Sequence, residues 1–290
     1  MIAAHTAART GIPYVVSPHG ELAPYHRRRK RLRKLLYYQL LESKILNQAA
    51  AIHYTSTREL NGADSIRIQA PAVIVPPGVD LPAFEREALR GEFRARYPEV
   101  GARVIITFLG RIAHQKGLDL LIPAFARVVD RFPDCHLIIA GAIEDAYGRA
   151  VREWVRDWNV KSHVTLTGFV DGREKASLLA DTDVWVLPSR EENFGIAIVE
   201  AMACGLPVVV SDNVGIQTDI TAAKAGIVVR LEVAEFVEAL STLVSDANLR
   251  RTYGINGKEF VRGSLTWDVT AKQMLRVYES ICRDTTVSDR

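Results

Sequence analysis

Cysteine is scarce in this chain, and its apolar runs are short. The three cysteines, Cys135, Cys204 and Cys282, are odd in number and far apart. They outline neither a disulfide framework nor a metal-ligand set, which fits a reducing compartment. Cys135 and Cys204 stand among apolar neighbours and are expected as buried thiols. No apolar stretch approaches the roughly 18 residues of a membrane-spanning helix. The start, Met1-Ile-Ala-Ala-His5, has neither the basic opening nor the long apolar stretch of a secretory signal. The expectation is a cytoplasmic protein. Internal repeats and low-complexity linkers are absent from the sequence, and no glycine-rich phosphate turn precedes Tyr14.

What is present is an ordinary globular composition. The 290 residues are 48% hydrophobic, enough for about two domains with substantial cores. The net charge of +3 is unevenly spread. Seven of the eight residues from Arg27 to Lys34 are basic, and without them the charge falls from +3 to −4. If helical, this run is amphipathic, with Arg27, Lys30, Arg31 and Lys34 on one stripe and Leu32, Leu35, Leu36 and Leu40 on another. Such a helix suits an anionic membrane surface or a lipid-linked acceptor. A merely solvated face is the alternative. Nucleic acid is not expected, because no aromatics interleave with the charges.

Short β-rich runs alternate with helix-like ones. The strands are read at 14–17, 51–54, 73–75, 104–109, 136–140, 164–166, 184–187, 208–210 and 227–229. The helices are read at 27–48, 117–131, 145–157, 173–180, 196–204 and 232–261, with a connecting helix within 85–99. This alternation predicts α/β architecture with parallel sheets covered on both faces. A boundary is expected between Pro76-Pro77-Gly78 and Val104. Only three strands precede it, against five or six in a full doubly wound lobe. The expected organisation is a partial first lobe over 1–82, a second lobe over 83–262, and a final helix and tail over 263–290.

The chemistry concentrates in Ser189-Arg-Glu-Glu-Asn-Phe-Gly-Ile-Ala-Ile-Val-Glu200. Glu192 and Glu200 lie eight positions apart, after the strand Val184–Leu187 and around a glycine turn that opens a helix. Strand, turn and helix aim backbone N–H groups and a positive dipole end at an anion. The carboxylates then serve something beside the phosphate, such as sugar hydroxyls. A second such turn, Gly110-Arg111…Lys116-Gly117, follows strand 104–109 and offers a fixed cation pair for a diphosphate. Two carboxylates also suggest a glycosidase pair, but the cationic turn and parallel α/β pattern point away from one. Asp181-Thr-Asp183 lies between a helix and a strand and is read as capping and loop chemistry, not as a metal site.

These segments together resemble the retaining glycosyltransferases of family 4. Glu192…Glu200 around Asn193-Phe194-Gly195 is similar to their paired-glutamate motif. Gly110-Arg111…Lys116-Gly117 resembles their diphosphate turn, and Gly168-Phe169-Val170 their base-contacting loop. Pro77-Gly-Val-Asp80 resembles their domain-junction turn, usually written with Asn where Pro77 stands. The likeness runs from about Gly11 to Cys282.

The resemblance implies a GT-B fold of two Rossmann-like lobes, here with the first lobe incomplete and the last helix, from Trp267, returning to it. It implies a nucleoside-diphosphate-sugar donor, a glycan or lipid-linked acceptor, retention at the anomeric carbon, and no cofactor or metal. It implies donor contacts from Gly110, Arg111, Lys116, Gly168, Phe169, Val170, Glu192, Asn193, Phe194, Gly195, Ile196 and Glu200. Glu200 would accept from the ribose hydroxyls and Glu192 would face the sugar. His19, ending strand 14–17, would face the donor from the acceptor side. Catalysis is expected to rest on His19, Glu192, Arg111 and Lys116. The alternatives are a nucleotide-sugar-binding fragment without transferase activity and another GT-B enzyme such as an epimerase.

Overall fold

The computed structural model describes residues 2–22, 42–63, 68–81 and 89–288. The basic run 27–34 lies outside them. The chain divides into two units, Met1–Gly78 with Trp267–Arg290, and Val79–Thr266. At the second junction the Val79 amide donates to the Leu265 carbonyl at 2.9 Å, and Val79 bridges Thr266.

In the first unit, helix α1 (Ile2–Thr10) leads to β1 (Val15–Val16). Helix α2 (Ser43–Asn47), β2 (Ala51–Tyr54), α3 (Thr57–Ala63) and β3 (Ala72–Ile74) follow. The strands are parallel in the order β1-β2-β3. A small core of Leu22, Leu46, Ile52 and Tyr54 fills one side. Buried Glu59 ties two segments together: its Oε1 accepts from the Gly20 amide at 2.5 Å, and its Oε2 accepts from the Thr55 amide and hydroxyl, both at 2.7 Å. The last helix of the chain, Trp267–Ser288, belongs to this unit, and Thr270 Oγ1 donates to the Pro76 carbonyl at 2.9 Å.

In the second unit, helix α4 (Glu92–Arg96) and a 3-10 turn, Pro98–Val100, precede the sheet. Of the connecting helix read within 85–99, Glu92–Arg96 is helical and the helix ends before Pro98, which cannot continue the hydrogen-bonding ladder; residues 82–88 lie outside the described ones. Six parallel strands follow: β4 (Val104–Leu109), β5 (Cys135–Ala140), β6 (Val164–Gly168), β7 (Val184–Leu187), β8 (Val208–Ser211) and β9 (Gly226–Val229). Their order is β6-β5-β4-β7-β8-β9, the Rossmann arrangement 3-2-1-4-5-6. β5, β7 and β8 are buried along their whole lengths, as expected for unbroken apolar strands covered on both faces. The edge strands β6 and β9 are only half-buried.

Helices α5 (Leu118–Arg131), α6 (Ala146–Asp157), α7 (Gly172–Asp181), α8 (Ile196–Ala203) and α9 (Gln217–Ala223) connect the strands. The run read as one helix over 232–261 is two, α10 (Val233–Ser245) and α11 (Ala247–Ser264). Asp246 breaks it by taking an extended backbone and capping α11, its carboxylate accepting from the Leu249 amide at 2.9 Å. α11 packs tightly behind α8. A Cβ on Gly254 would stand 2.0 Å from the carbonyl oxygen of Gly205, so only glycine fits there.

Candidate functional site

In a doubly wound sheet, ligands gather outside the carboxyl ends of the strands where the order reverses. Here that point lies between β4 and β7. The loop after β4 carries Gly110, Arg111 and Lys116, and the loop after β7 carries Glu192, Asn193, Phe194 and Gly195. Each loop opens a helix, α5 at Leu118 and α8 at Ile196. The Gly117 and Gly195 carbonyls accept from the third N–H of each helix, at Leu120 and Ile198, both at 2.9 Å; the two N–H groups ahead of it precede the intrahelical ladder, and the helix dipoles add positive potential there. Gly117 and Gly195 set both turns from left-handed conformations, with φ of +71° and +100°. The two loops touch at Gly117, where a Cβ would stand 2.0 Å from the Pro188 carbonyl oxygen.

The structure brings Lys116 and Glu192 together as an ion pair between Nζ and Oε2. The Glu192 backbone is itself fixed: its amide donates to the Asn213 carbonyl at 3.1 Å, and its carbonyl accepts from the Gly215 amide at 2.9 Å. Glu200, in the second turn of α8, pairs with Lys175 of α7 at 2.6 Å. Lys175 was not found by sequence reasoning. No local pattern marks it; the fold alone brings it to Glu200. All four side chains are between 17% and 25% exposed, so each pair is shielded from water yet reachable.

Arg111 is exposed and donates weakly to Gln115 Oε1 at 3.5 Å. Phe194 is buried and Ile196 exposed. At the end of β6, Gly168 takes φ +77°; in the loop that follows, Val170 is buried and Phe169 is 71% exposed, an unusual position for a large apolar ring. His19 lies in the other unit, exposed, at a left-handed φ of +48° beside Gly20. Asp181 and Asp183 do structural work. The Asp181 carboxylate accepts from the amides of Gly91 at 2.7 Å and Arg94 at 3.1 Å, capping α4, and Asp183 Oδ2 accepts from the Ile105 amide at 2.8 Å. Among the described residues, no group of three or more His, Cys, Asp or Glu side chains is disposed to hold a metal, and no helix is long and apolar enough to cross a membrane.

Arg190, Asp119 and Tyr147 form a further cluster that the sequence reading passed over. The Arg190 guanidinium grips the Asp119 carboxylate through both oxygens at 2.8 and 2.6 Å, and Tyr147 Oη donates to Asp119 at 3.1 Å. Burial alone would raise the Asp119 carboxyl, but the Arg190 guanidinium and the Tyr147 hydroxyl hold it below the usual carboxylate range. Burial and the neighbouring Asp119 carboxylate push the Tyr147 phenol well above its ordinary value.

Comparison with known proteins gives two family matches. Residues 90–260 match the model described as glycosyl transferases group 1. Residues 1–78 match a glycosyl transferase 4-like domain. The phosphatidyl-myo-inositol mannosyltransferase of Mycobacterium tuberculosis is 35% identical over 218 residues, covering 72% of this chain and 54% of the relative. The D-inositol 3-phosphate glycosyltransferase of Jonesia denitrificans is 29% identical over 249 residues, covering 82% of this chain and 58% of the relative. The chain thus spans about half the length of the curated relatives it matches. Among solved structures, sucrose-phosphate synthase from Thermosynechococcus elongatus superposes with a TM-score of 0.79 at 24% identity, over 94% of this chain and 69% of that one. Anabaena Alr3699/HepE in complex with UDP and glucose superposes at 0.82 and 20% identity, over 96% of this chain and 74% of that one.

Proposed function

The chain belongs to the glycosyl transferases group 1 family and shares the GT-B, Rossmann-like fold of its structural neighbours, and from that premise we propose that it moves a sugar from a nucleoside-diphosphate donor to an acceptor hydroxyl with retention at the anomeric carbon. The observation that carries the proposal is the meeting of Lys116 with Glu192 and of Lys175 with Glu200 at the switch point of the sheet. Arg111, Lys116 and two helix N-termini stand on the two loops that leave that point, which suits a diphosphate. The two carboxylates suit the hydroxyls on either side of it.

In this reading the diphosphate takes Lys116 from Glu192, with Arg111 as the second cation. Glu192 is then released toward the sugar, which the backbone at Phe194–Ile196 also holds. Glu200, oriented by Lys175, accepts from the ribose hydroxyls. Phe169 offers its exposed ring to the base. The bond from the anomeric carbon to the phosphate oxygen breaks, and the bond to the acceptor oxygen forms on the same face. The acceptor proton passes to the departing phosphate, whose charge Arg111 and Lys116 stabilise. His19 is carried over from the family resemblance as a donor-facing group. The names of the mannosyltransferase and inositol-phosphate relatives favour a glycan or lipid-linked polyol acceptor. The basic run 27–34 supports a contact with an anionic membrane surface.

Titration calorimetry with UDP, GDP and ADP and their sugars tests the site. Arg111→Ala and Lys116→Ala should each weaken nucleotide binding by about 1.5–3 kcal/mol, the range for charged hydrogen bonds. Unchanged affinity in both variants would remove the site assignment. Product analysis with an acceptor mixture, reading the anomeric configuration by NMR, then tests transfer and retention.

A further inference from the structure

The loop that carries Arg111 and Lys116 and the loop that carries Glu192 are joined by more than the Lys116–Glu192 pair. Arg190 stands two residues before Glu192. Its backbone amide donates to the Gln115 carbonyl at 2.7 Å, next to Lys116. Its Nη1 donates to the His114 carbonyl at 2.8 Å and to Asp119 Oδ1 at 2.8 Å, and its Nη2 donates to Asp119 Oδ2 at 2.6 Å. Ser189 Oγ adds a bond to the Gln115 carbonyl at 3.1 Å. Asp119 is the second residue of α5 and is held from the other side by Tyr147 of α6 at 3.1 Å. Tyr147 is in turn wedged edge-on between His114 and Trp154, with ring centroids 6.3 and 5.4 Å away.

We propose that Arg190 is a positioning residue of the nucleotide site: clasped by Asp119 and Tyr147, it sets the spacing between the Lys116 loop and the Glu192 loop. The inference rests on the reading of this crevice as a nucleoside-diphosphate site. Both terminal nitrogens of the guanidinium are committed to the opposite loop and helix, so Arg190 acts through that geometry rather than on the nucleotide. A planar fork is what the arrangement demands. A lysine ammonium could reach Asp119 but could not hold both carboxylate oxygens and the His114 carbonyl in one plane. The side chains of Arg190 and Asp119 are 23% and 27% exposed, so the pair is not a freely solvated one whose loss would pass unnoticed.

The test compares UDP and GDP with their own nucleosides, uridine and guanosine, by titration calorimetry on the full chain. Loosening the clasp should move Lys116 away from its diphosphate position and leave nucleoside contacts in place. Arg190→Met is expected to raise the Kd of the bound nucleoside diphosphate about tenfold, since small misplacements of a positioned group have effects of this size. The nucleoside Kd should stay within about twofold. Arg190→Lys should fall in between, and Tyr147→Phe, which removes only the hydroxyl on Asp119, should give a smaller shift of the same kind. Adding Asp119→Asn to Arg190→Met should cost little more, because both act through one clasp. Arg131→Met is the control. It removes the ion pair to Glu238 at the far end of α5, at 2.8 Å, and should leave both ligands unaffected.

A purely structural role would weaken nucleoside and diphosphate alike; that result, or no change in either, overturns the inference. If Arg190→Met does not fold, Arg190→Lys and Tyr147→Phe decide by the same ratio. If the wild-type chain binds no nucleoside diphosphate, the functional reading itself fails and this inference falls with it. Binding by wild type with an unchanged ratio in the variants sinks the inference alone.

Discussion

Substituting Gly117 by alanine should damage stability and binding together. The glycine sits at φ +71°, where an L side chain costs about 1–2 kcal/mol. Its added Cβ would also stand 2.0 Å from the Pro188 carbonyl oxygen and 3.0 Å from the carbonyl carbon. These are backbone atoms at the end of β7, and they cannot swing aside as a side chain would. Forcing them apart should cost a further ~1–3 kcal/mol, the range for overpacked sites. Gly91 provides the reference: it has φ +90°, and a Cβ there meets nothing within 4 Å. Gly91→Ala should therefore show the conformational cost alone, about 1–2 kcal/mol, and Gly117→Ala about 2–5 kcal/mol. Both residues lie in the Val79–Thr266 unit, and fully buried Trp185 on β7 reports its unfolding in urea by fluorescence. Pro188 leads directly into Ser189 and Arg190, so Gly117→Ala should also weaken nucleoside-diphosphate binding about tenfold, whereas Gly91→Ala should not. Equal destabilisation by the two substitutions, within about 0.5 kcal/mol, would refute the close approach of the two loops.

Three further outcomes follow from the ion pairs and from the buried histidine. Glu192→Gln releases Lys116 and should tighten binding of free nucleoside diphosphate several-fold while slowing transfer. Glu200→Gln should weaken binding of nucleoside and nucleotide alike by about 1–2 kcal/mol; calorimetry giving both changes the same sign would contradict the roles assigned. His136 on β5 is buried, with Nδ1 facing Arg103 Nη1 at 3.1 Å and so accepting, and Nε2 against Thr165 Oγ1 at 2.9 Å and so donating. Burial first, then the Arg103 charge, lowers it from 6.5 to about 4. The unfolded chain therefore takes up this proton at a higher pH than the folded one. Its contribution is intact above about 6.5 and drains away toward 4, on the order of 2–3 kcal/mol. Urea titrations at pH 7.5 and 4.5 should show this slope in wild type and a shallower one in His136→Gln; parallel slopes would refute it.

The sheet of the second unit was legible because its strands are unbroken apolar runs bounded by turn residues, and a buried parallel strand needs nothing else. The two glycine turns could be read for the same reason, since few residues other than glycine take a left-handed φ cheaply. The pairing within the site could not be read. Lys116 and Glu192 are 76 residues apart, Arg190 and Asp119 are 71, and Lys175 reaches Glu200 from a different helix. Charges at such separations are indistinguishable in sequence from solvated surface residues until the topology places them. The break at Asp246 was hidden by the helical periodicity on either side of it. An aspartate three residues before an amide it can cap was the available signal.

The contact of Gly254 with Gly205 has a mechanical consequence for the site. α8 is a rod of eight residues whose front end bears the candidate ligand groups and whose rear end abuts α11 without even a methyl group between the backbones. A rod stopped at the back cannot recoil. At the proposed site, a ligand at Gly195 would meet a helix braced from behind.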